Sequence, residues 1–361
     1  MKILLYSRSY KDMAGGIERK SLEIARGLSD RGHEVHIVSL DSNDDVAFYE
    51  WPKEVRWHKT NIGNPALKAS LRERLGRIFY IRRLLKQDFD IAVGFQVGAF
   101  AVLRISALGL KVGIIAAERN APTLFDFISR GKVKRLFSNL LLLTSSKVAI
   151  LFPDFRRYYP SYLQNKLVIT PNWVGLPKKV SGREITRIRN QILFVGRISF
   201  QKNLNSLLEA AALLKRETEL LIIGSGEGLE SAKAKAVSLE LNCKFMPPTH
   251  DLSSYYESAT LLCLPSRWEG FPNVAAEALA FGLPVVGFAA CAGLPELVIP
   301  GKTGELALEN DNPHSLRQAL QIALDSNYSE EFIHKSVAGY TFENFISAWE
   351  SACIVSLKRK P

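Results

Sequence analysis

Cysteine is scarce in this chain and forms no recognisable motif. The 361 residues include four cysteines, all in the second half and none in a Cys-x-x-Cys pair. This spacing excludes a disulfide-rich scaffold and a cysteine-based zinc motif. The six histidines are scattered, without the spacing of metal ligands. We therefore expect reduced core cysteines, a cytoplasmic protein, and a site that uses neither a metal ion nor a cofactor.

Long apolar runs are also missing. The longest candidate, residues 93–117, is interrupted by Arg104 and Lys111, so it predicts strand, helix and strand rather than a membrane span. The opening MKILLYSRSY is too short for a signal peptide and predicts a first strand. Asp88-Phe89-Asp90 lies at the entry to a strand, so we find no Asp-x-Asp loop of the kind that holds a divalent ion on a diphosphate.

Acidic residues are few in the first half of the chain, whereas basic residues are many. Residues 1–175 hold 28 Lys and Arg against 16 Asp and Glu, and the remainder is close to neutral. Basic and large apolar residues are interleaved in 66–86 and in RGKVKR at 130–135 with the leucines that follow. This pattern is typical of docking on an anionic membrane surface, although a solvated basic helix face has the same composition. No nucleic-acid recognition motif accompanies it.

Strand and helix patterns alternate through both halves, which is typical of parallel α/β sheets. Pro, Gly and clustered charge interrupt the alternation at 172–190. We predict two Rossmann-like doubly wound domains facing across a cleft, at 1–171 and 191–341, joined by that linker. A final helix, 342–361, should return to the first domain. Ligands of such folds bind at the carboxyl ends of the strands.

Two carboxylates in SRWEGFPNVAAEALAFGLP give the strongest chemical signal. Glu269 precedes a predicted helix, and Glu277 lies within it. The N–H groups at the start of that helix, beside Phe271, Pro272 and Asn273, favour an anion. Acids beside a phosphate-binding helix end suit a ligand with many hydroxyl groups and a phosphate, such as a nucleotide sugar.

Cations follow another strand. The strand predicted at 191–195 ends in Gly196-Arg197, and Lys202 comes just before the next helix. Arg offers a planar fork for diphosphate oxygens, and Lys offers a point charge. We expect Arg197 and Lys202 to neutralise a diphosphate, although a loop cation is often only a surface charge.

Glycine turns and one polar triplet complete the candidate residues. Gly15-Gly16 follows the first strand, and Gly224 opens a G-x-G-x-G run after another; each fits either a ligand approach or an ordinary turn. Glu118-Arg119-Asn120 follows the strand at 111–116. These three side chains could contact an acceptor or the transferred sugar, or could serve as a loop anchor and helix cap.

Taken together, these motifs resemble those of the retaining glycosyltransferases of family 4, which have the GT-B fold. The resemblance extends over essentially the whole chain. It implies that Glu269 contacts donor-sugar hydroxyls and that Glu277 binds the ribose. It also implies that the backbone of Phe271, Pro272 and Asn273 lies along the sugar and diphosphate. The Gly15-Gly16 loop would cover the phosphates. Many members have a histidine near Glu118, so Glu118 is our candidate for the outer hydroxyls of the sugar.

The resulting hypothesis is a retaining, metal-independent hexosyltransferase. It would move a hexose or N-acetylhexosamine from a UDP-sugar to a glycan, lipid-linked in our favoured version, in polysaccharide or glycolipid synthesis. The catalytic residues would be Glu269, Arg197 and Lys202, and the location the inner face of the cell membrane. Two alternatives stay open, a nucleotide-sugar epimerase of the same shape and a non-catalytic nucleotide-sugar-binding protein.

Overall fold

A computed structural model describes residues 1–11, 16–65, 67–175, 187–214, 216–249 and 251–357. The chain divides into two compact units. The first contains residues 1–120, 124–172 and the segment from Glu343 onward, and the second contains 121–123 and 173–342. The central part of the predicted linker lies outside the described residues.

The first unit is built on a parallel sheet of seven strands. They are β1 (Lys2–Tyr6), β2 (Glu34–Ser39), β3 (Arg56–Lys59), β4 (Ile91–Phe95), β5 (Gly113–Ala117), β6 (Lys147–Ile150) and β7 (Leu167–Ile169). Their order across the sheet is β3-β2-β1-β4-β5-β6-β7. The central strands are continuous apolar runs with almost no exposed surface, as expected for a parallel sheet covered on both faces.

The helices of this unit are α1 (Gly16–Asp30), α2 (Leu71–Leu85), α3 (Gln96–Ser106) and α4 (Gly131–Leu142). Short 3₁₀ turns occupy Pro122–Phe127, Pro153–Tyr158 and Ser161–Lys166. Ser70 caps α2 in a capping box with Glu73, which fixes the start of the helix at Leu71.

The second unit contains a parallel sheet of six strands. They are β8 (Gln191–Val195), β9 (Glu219–Ile223), β10 (Cys243–Met246), β11 (Leu261–Leu264), β12 (Val285–Phe288) and β13 (Gly304–Ala307), in the order β10-β9-β8-β11-β12-β13. The helices are α5 (Leu204–Ala212), α6 (Leu229–Ser238), α7 (Ser253–Ser258), α8 (Asn273–Ala280), α9 (Pro313–Asp325) and α10 (Glu330–Ser336). The two parallel-sheet α/β domains of the prediction are confirmed.

The last helix, α11 (Phe342–Ile354), belongs almost entirely to the first unit. Its Trp349 is fully buried, with its ring centroid 6.1 Å from that of Phe95. Glu350 accepts hydrogen bonds from Arg31 (2.6 Å) and pairs with His33 Nε2 (2.9 Å). The apolar contact therefore attaches this helix to the end of β4, and the charged contacts attach it to the turn after α1. None of the described helices is both long and apolar enough to cross a membrane.

Candidate functional site

The side chains of Lys202 and Glu269 form an ion pair at the carboxyl edge of the second sheet. Lys202 lies in the loop after β8, and Glu269 lies in the loop after the neighbouring strand β11. Lys202 Nζ is 2.7 Å from Glu269 Oε1, and the side chains are only 17% and 9% exposed. Because parallel strands end at the same edge, two motifs 67 residues apart in sequence meet here.

Arg197 stands at the same edge with a different environment. It follows β8 directly and is exposed. Within the described part of the chain, its guanidinium forms no ion pair or hydrogen bond with another side chain. A solvated guanidinium two residues beyond a strand end can turn towards an anionic ligand without breaking an internal bond.

Gly196 and Gly224 bring the loops after β8 and β9 into backbone contact. A Cβ atom at Gly224 would lie 1.9 Å from the carbonyl oxygen of Gly196, and Gly224 has a φ of +156°. Ile198 N–H donates to Ser225 O at 2.8 Å. Gly224 therefore lets the two loops pack closely against each other, and we explain this glycine by packing. The contact between the loops holds the Gly196-Arg197 turn in place.

The predicted donor loop ends in α8. The N–H of Asn273 donates to Phe271 O at 2.9 Å, so it is already bonded, contrary to our expectation of an exposed group. Pro272 has no N–H to offer. Phe271 is buried against the edge of the Tyr340 ring, with centroids 5.4 Å apart. The loop is thus a rigid, internally bonded surface.

Glu277 lies one turn into α8 and is partly exposed. The hydroxyl of Tyr256 donates to its Oε2 at 3.0 Å. Tyr256 is almost fully buried, and burial beside this carboxylate raises the pKa of the phenol well above its usual value. Tyr256 therefore stays protonated and orients Glu277. Sequence reasoning missed Tyr256, because no local motif links it to a carboxylate 21 residues away.

The loop after β12 supports Glu269 from behind. A Cβ at Gly293 would lie 2.3 Å from the Gly270 carbonyl oxygen, so only glycine allows this approach. Burial and the nearby Glu269 carboxylate raise the pKa of the Cys291 thiol well above its usual value. Cys291 is therefore an inert packing group beneath the pair, as the sequence predicted for the cysteines.

In the first unit, Glu118 and Arg119 have different environments. Arg119 is buried and donates to Thr170 O (2.8 Å) and to the Asn172 side chain, with its guanidinium 5.5 Å from the Trp349 ring centroid. Of the two roles that the sequence allowed, Arg119 therefore has that of a loop anchor, and we assign it no contact with a ligand. Asn120 is exposed.

Glu118 lies at the end of β5 with one carboxylate oxygen sealed from solvent. No partner for this Oε1 is found among the described residues. Burial raises the pKa of this carboxyl from 4.5 to about 7.

Gly16 begins α1, and Gly15 lies outside the described residues. In the described ranges, no three His, Cys, Asp or Glu side chains are grouped as a metal site.

Two family models match the chain in succession. Residues 14–142 match Glycosyltransferase Family 4, and residues 182–336 match Glycosyl transferases group 1. Together they cover well over half of the chain. It belongs to the family 4 glycosyltransferases.

Relatives and solved structures agree with this assignment. An uncharacterized glycosyltransferase of Haemophilus influenzae is 29% identical over 93% of this chain and 96% of its own length. A Campylobacter jejuni alpha-1,4-N-acetyl-D-galactosaminyltransferase, named for a PP-undecaprenol-linked glycan, is 25% identical over 90% and 89%. The lipopolysaccharide outer core galactosyltransferase WaaB superposes with a TM-score of 0.80 at 18% identity, over 99% of this chain and 100% of its own. The glycosyltransferase therefore has the predicted GT-B fold.

Proposed function

We propose that this glycosyltransferase moves a hexosyl or N-acetylhexosaminyl group from a UDP-sugar to a lipid-linked glycan, with retention at the anomeric carbon. The observation that carries the proposal is the Lys202–Glu269 pair at the edge of the second sheet, with Arg197 beside it. The name of the Campylobacter relative includes a PP-undecaprenol-linked glycan, which supports a lipid-linked acceptor. A solved Anabaena structure of this fold holds UDP and glucose (TM-score 0.77, 16% identity, 97% of this chain and 98% of its own) and supports the donor.

The ion pair has a direct role in donor binding. Two mostly buried opposite charges stabilise each other in the free protein. An incoming diphosphate competes for Lys202 and releases one oxygen of Glu269 to accept from donor-sugar hydroxyls. Arg197 turns in from solvent to complete the neutralisation. Glu277, held by Tyr256, accepts from the ribose hydroxyls.

Catalysis then rests on the leaving group. The bond from the anomeric carbon to the diphosphate oxygen breaks as a bond to the acceptor oxygen forms on the same face. The acceptor proton passes to the departing phosphate. Negative charge grows on the diphosphate, where Arg197 and Lys202 stabilise it; each such contact is typically worth about 3–4 kcal/mol of barrier. No metal ion is required in this scheme.

Glu118 is our acceptor-side group, with Asn120 as an exposed neighbour. Glu118 as a whole is partly exposed, so its carboxyl can bond a hydroxyl of the acceptor or of the transferred sugar. We place the protein peripherally at the inner face of the cell membrane, where a lipid-linked acceptor lies.

The test is UDP release measured with and without a lipid-linked glycan. We expect UDP release to depend on the acceptor. NMR of the product should show the same anomeric configuration as in the donor. An epimerase would instead release an altered sugar without acceptor, and a binding protein would release nothing.

Charge-removing variants locate the chemistry. Lys202→Met should lower the turnover about 100-fold or more, because it removes one cation from the leaving group. Lys335→Met is the matched control, since Lys335 forms a comparable 2.6 Å pair with Glu331 on an exposed helix face. Equal activity of the two correctly folded variants would refute the proposal.

A further inference from the structure

Helix α4 is apolar on the side that faces solvent. Val133, Leu136, Phe137 and Leu140 are 52%, 54%, 67% and 48% exposed, at the i, i+3, i+4, i+7 spacing of one helix face. The side that packs against the unit includes the polar Ser138 and Asn139. A surface helix of a soluble domain has the reverse arrangement. A contiguous exposed apolar stripe of this kind marks a binding surface.

Two neighbouring helices extend the stripe. Helix α3 packs against both α2 and α4. On α2, the large side chains Leu71, Leu75 and Phe79 are exposed at successive turns, and Ile105 is exposed on α3. We refer to the exposed side chains of α2, α3 and α4 together as the three-helix face.

Basic residues surround this apolar surface. Helix α2 contains five arginines and one glutamate, and α4 contains three basic residues and no acid. Lys132, Lys134, Arg72 and Arg83 are exposed. Arg82 has a structural role instead, because it donates to the carbonyl oxygens of Ser106 and Leu108 at the end of α3.

We propose that the three-helix face docks on an anionic lipid bilayer, with α4 lying in the membrane plane and its stripe buried among the acyl chains. Exposed cations beside large apolar side chains are the composition that binds such a surface. A second copy of the chain fits less well, because a symmetric contact places the same basic helices against each other. The proposal deepens the proposed function, since the lipid-linked acceptor lies in such a bilayer.

The test is vesicle flotation of the full chain. Vesicles of phosphatidylcholine with about 30% phosphatidylglycerol should carry the protein, and phosphatidylcholine alone should carry much less. The variant Phe137→Ser/Leu140→Ser should lower the partition coefficient about tenfold or more, because two large apolar side chains no longer enter the bilayer. Arg72→Gln/Arg83→Gln should weaken binding and reduce its dependence on salt.

The control variant is Val237→Ser/Leu308→Ser, which removes two comparably exposed apolar side chains from the second unit. It should bind vesicles as the native protein does. Equal losses in both double serine variants, or unchanged binding in Phe137→Ser/Leu140→Ser, would overturn the proposal. A concentration-dependent dimer that this variant disrupts, without vesicle binding by the native chain, would identify a second copy as the occupant instead.

Transfer to a water-soluble glycan separates this inference from the proposed function. The Phe137→Ser/Leu140→Ser variant should retain that activity and lose transfer to acceptor embedded in vesicles. Vesicle binding by a native protein that transfers no sugar would support the docking surface and refute the transferase. Loss of soluble-acceptor transfer in the variant would show that the face serves the site directly and would overturn the docking assignment.

Discussion

Replacing Glu118 with Gln tests how a buried carboxyl without a partner affects both stability and ligand binding. In the folded protein this carboxyl keeps its proton up to about pH 7, whereas the unfolded chain releases it near 4.5. Between these values the unfolded state binds fewer protons than the native state. Stability is therefore full below about pH 4.5, falls as the pH rises to about 7, and stays low above it.

The magnitude follows from that interval. A difference of one pKa unit corresponds to about 1.4 kcal/mol of free energy of unfolding. The interval from 4.5 to about 7 therefore corresponds to a loss of stability of at most about 3 kcal/mol above pH 7. The residue as a whole keeps partial exposure, and solvent screening reduces the expected effect to the order of 1–3 kcal/mol. Because Gln never ionises, Glu118→Gln should be more stable than the native protein at about pH 8 and equally stable at about pH 4.5.

Urea unfolding at the two pH values measures this difference. Glu54→Gln, an exposed site in the same unit, is the control and should show no pH-dependent gain. The same assay series can include the acceptor KM. If the protonated Glu118 carboxyl donates to a hydroxyl, the native KM should rise above about pH 7 while that of Glu118→Gln stays flat. A stability gain that is identical at both pH values would refute the reasoning.

Three further predictions concern packing, orientation and charge. Gly224→Ala should destabilise the second unit by about 2 kcal/mol or more in thermal unfolding, because the new Cβ would clash with the carbonyl oxygen of Gly196. The control Gly339→Ala places its Cβ in open space and should leave the stability unchanged. Tyr256→Phe should raise the KM for the UDP-sugar several-fold with little change in kcat, since it removes one hydrogen bond that orients Glu277; an unchanged KM would contradict that role. Excess EDTA should leave transfer unchanged, and loss of activity restored by a divalent ion would disprove the metal-free scheme.

The fold was largely predictable, because buried parallel strands are continuous apolar runs and each is followed by a helix. Two strands were missed. RWHK of β3 and GELA of β13 are short edge strands, with only one neighbour and little apolar character. Edge strands bury less, so their sequences are less constrained.

The site was predictable where motifs follow strand ends, and less so where side chains from distant segments meet. Lys202 and Glu269 each follow a strand, and the alternating pattern indicates a parallel sheet whose strands end at one edge. Their direct contact depends on the strand order, in which β8 and β11 are neighbours, and that order is known from the structure. Tyr256 holding Glu277 depends on how α7 packs against α8, and no sequence pattern signals it. The backbone contact behind Gly224 likewise depends on the distance between two loops. Individual roles at the site stay predictions until the variants are measured.

The attachment of α11 to the first unit has a consequence for synthesis. The segment from Glu343 onward belongs to the same compact body as residues 1–120 and 124–172, and most of the second body lies between them in sequence. During translation the second unit is fully synthesised while the first unit still lacks Trp349 and Glu350 of α11. Domains usually fold in the order of their synthesis. Here the unit whose synthesis begins first is completed after the other, so its contact surface for α11 stays uncovered and accessible to chaperones until α11 has been synthesised.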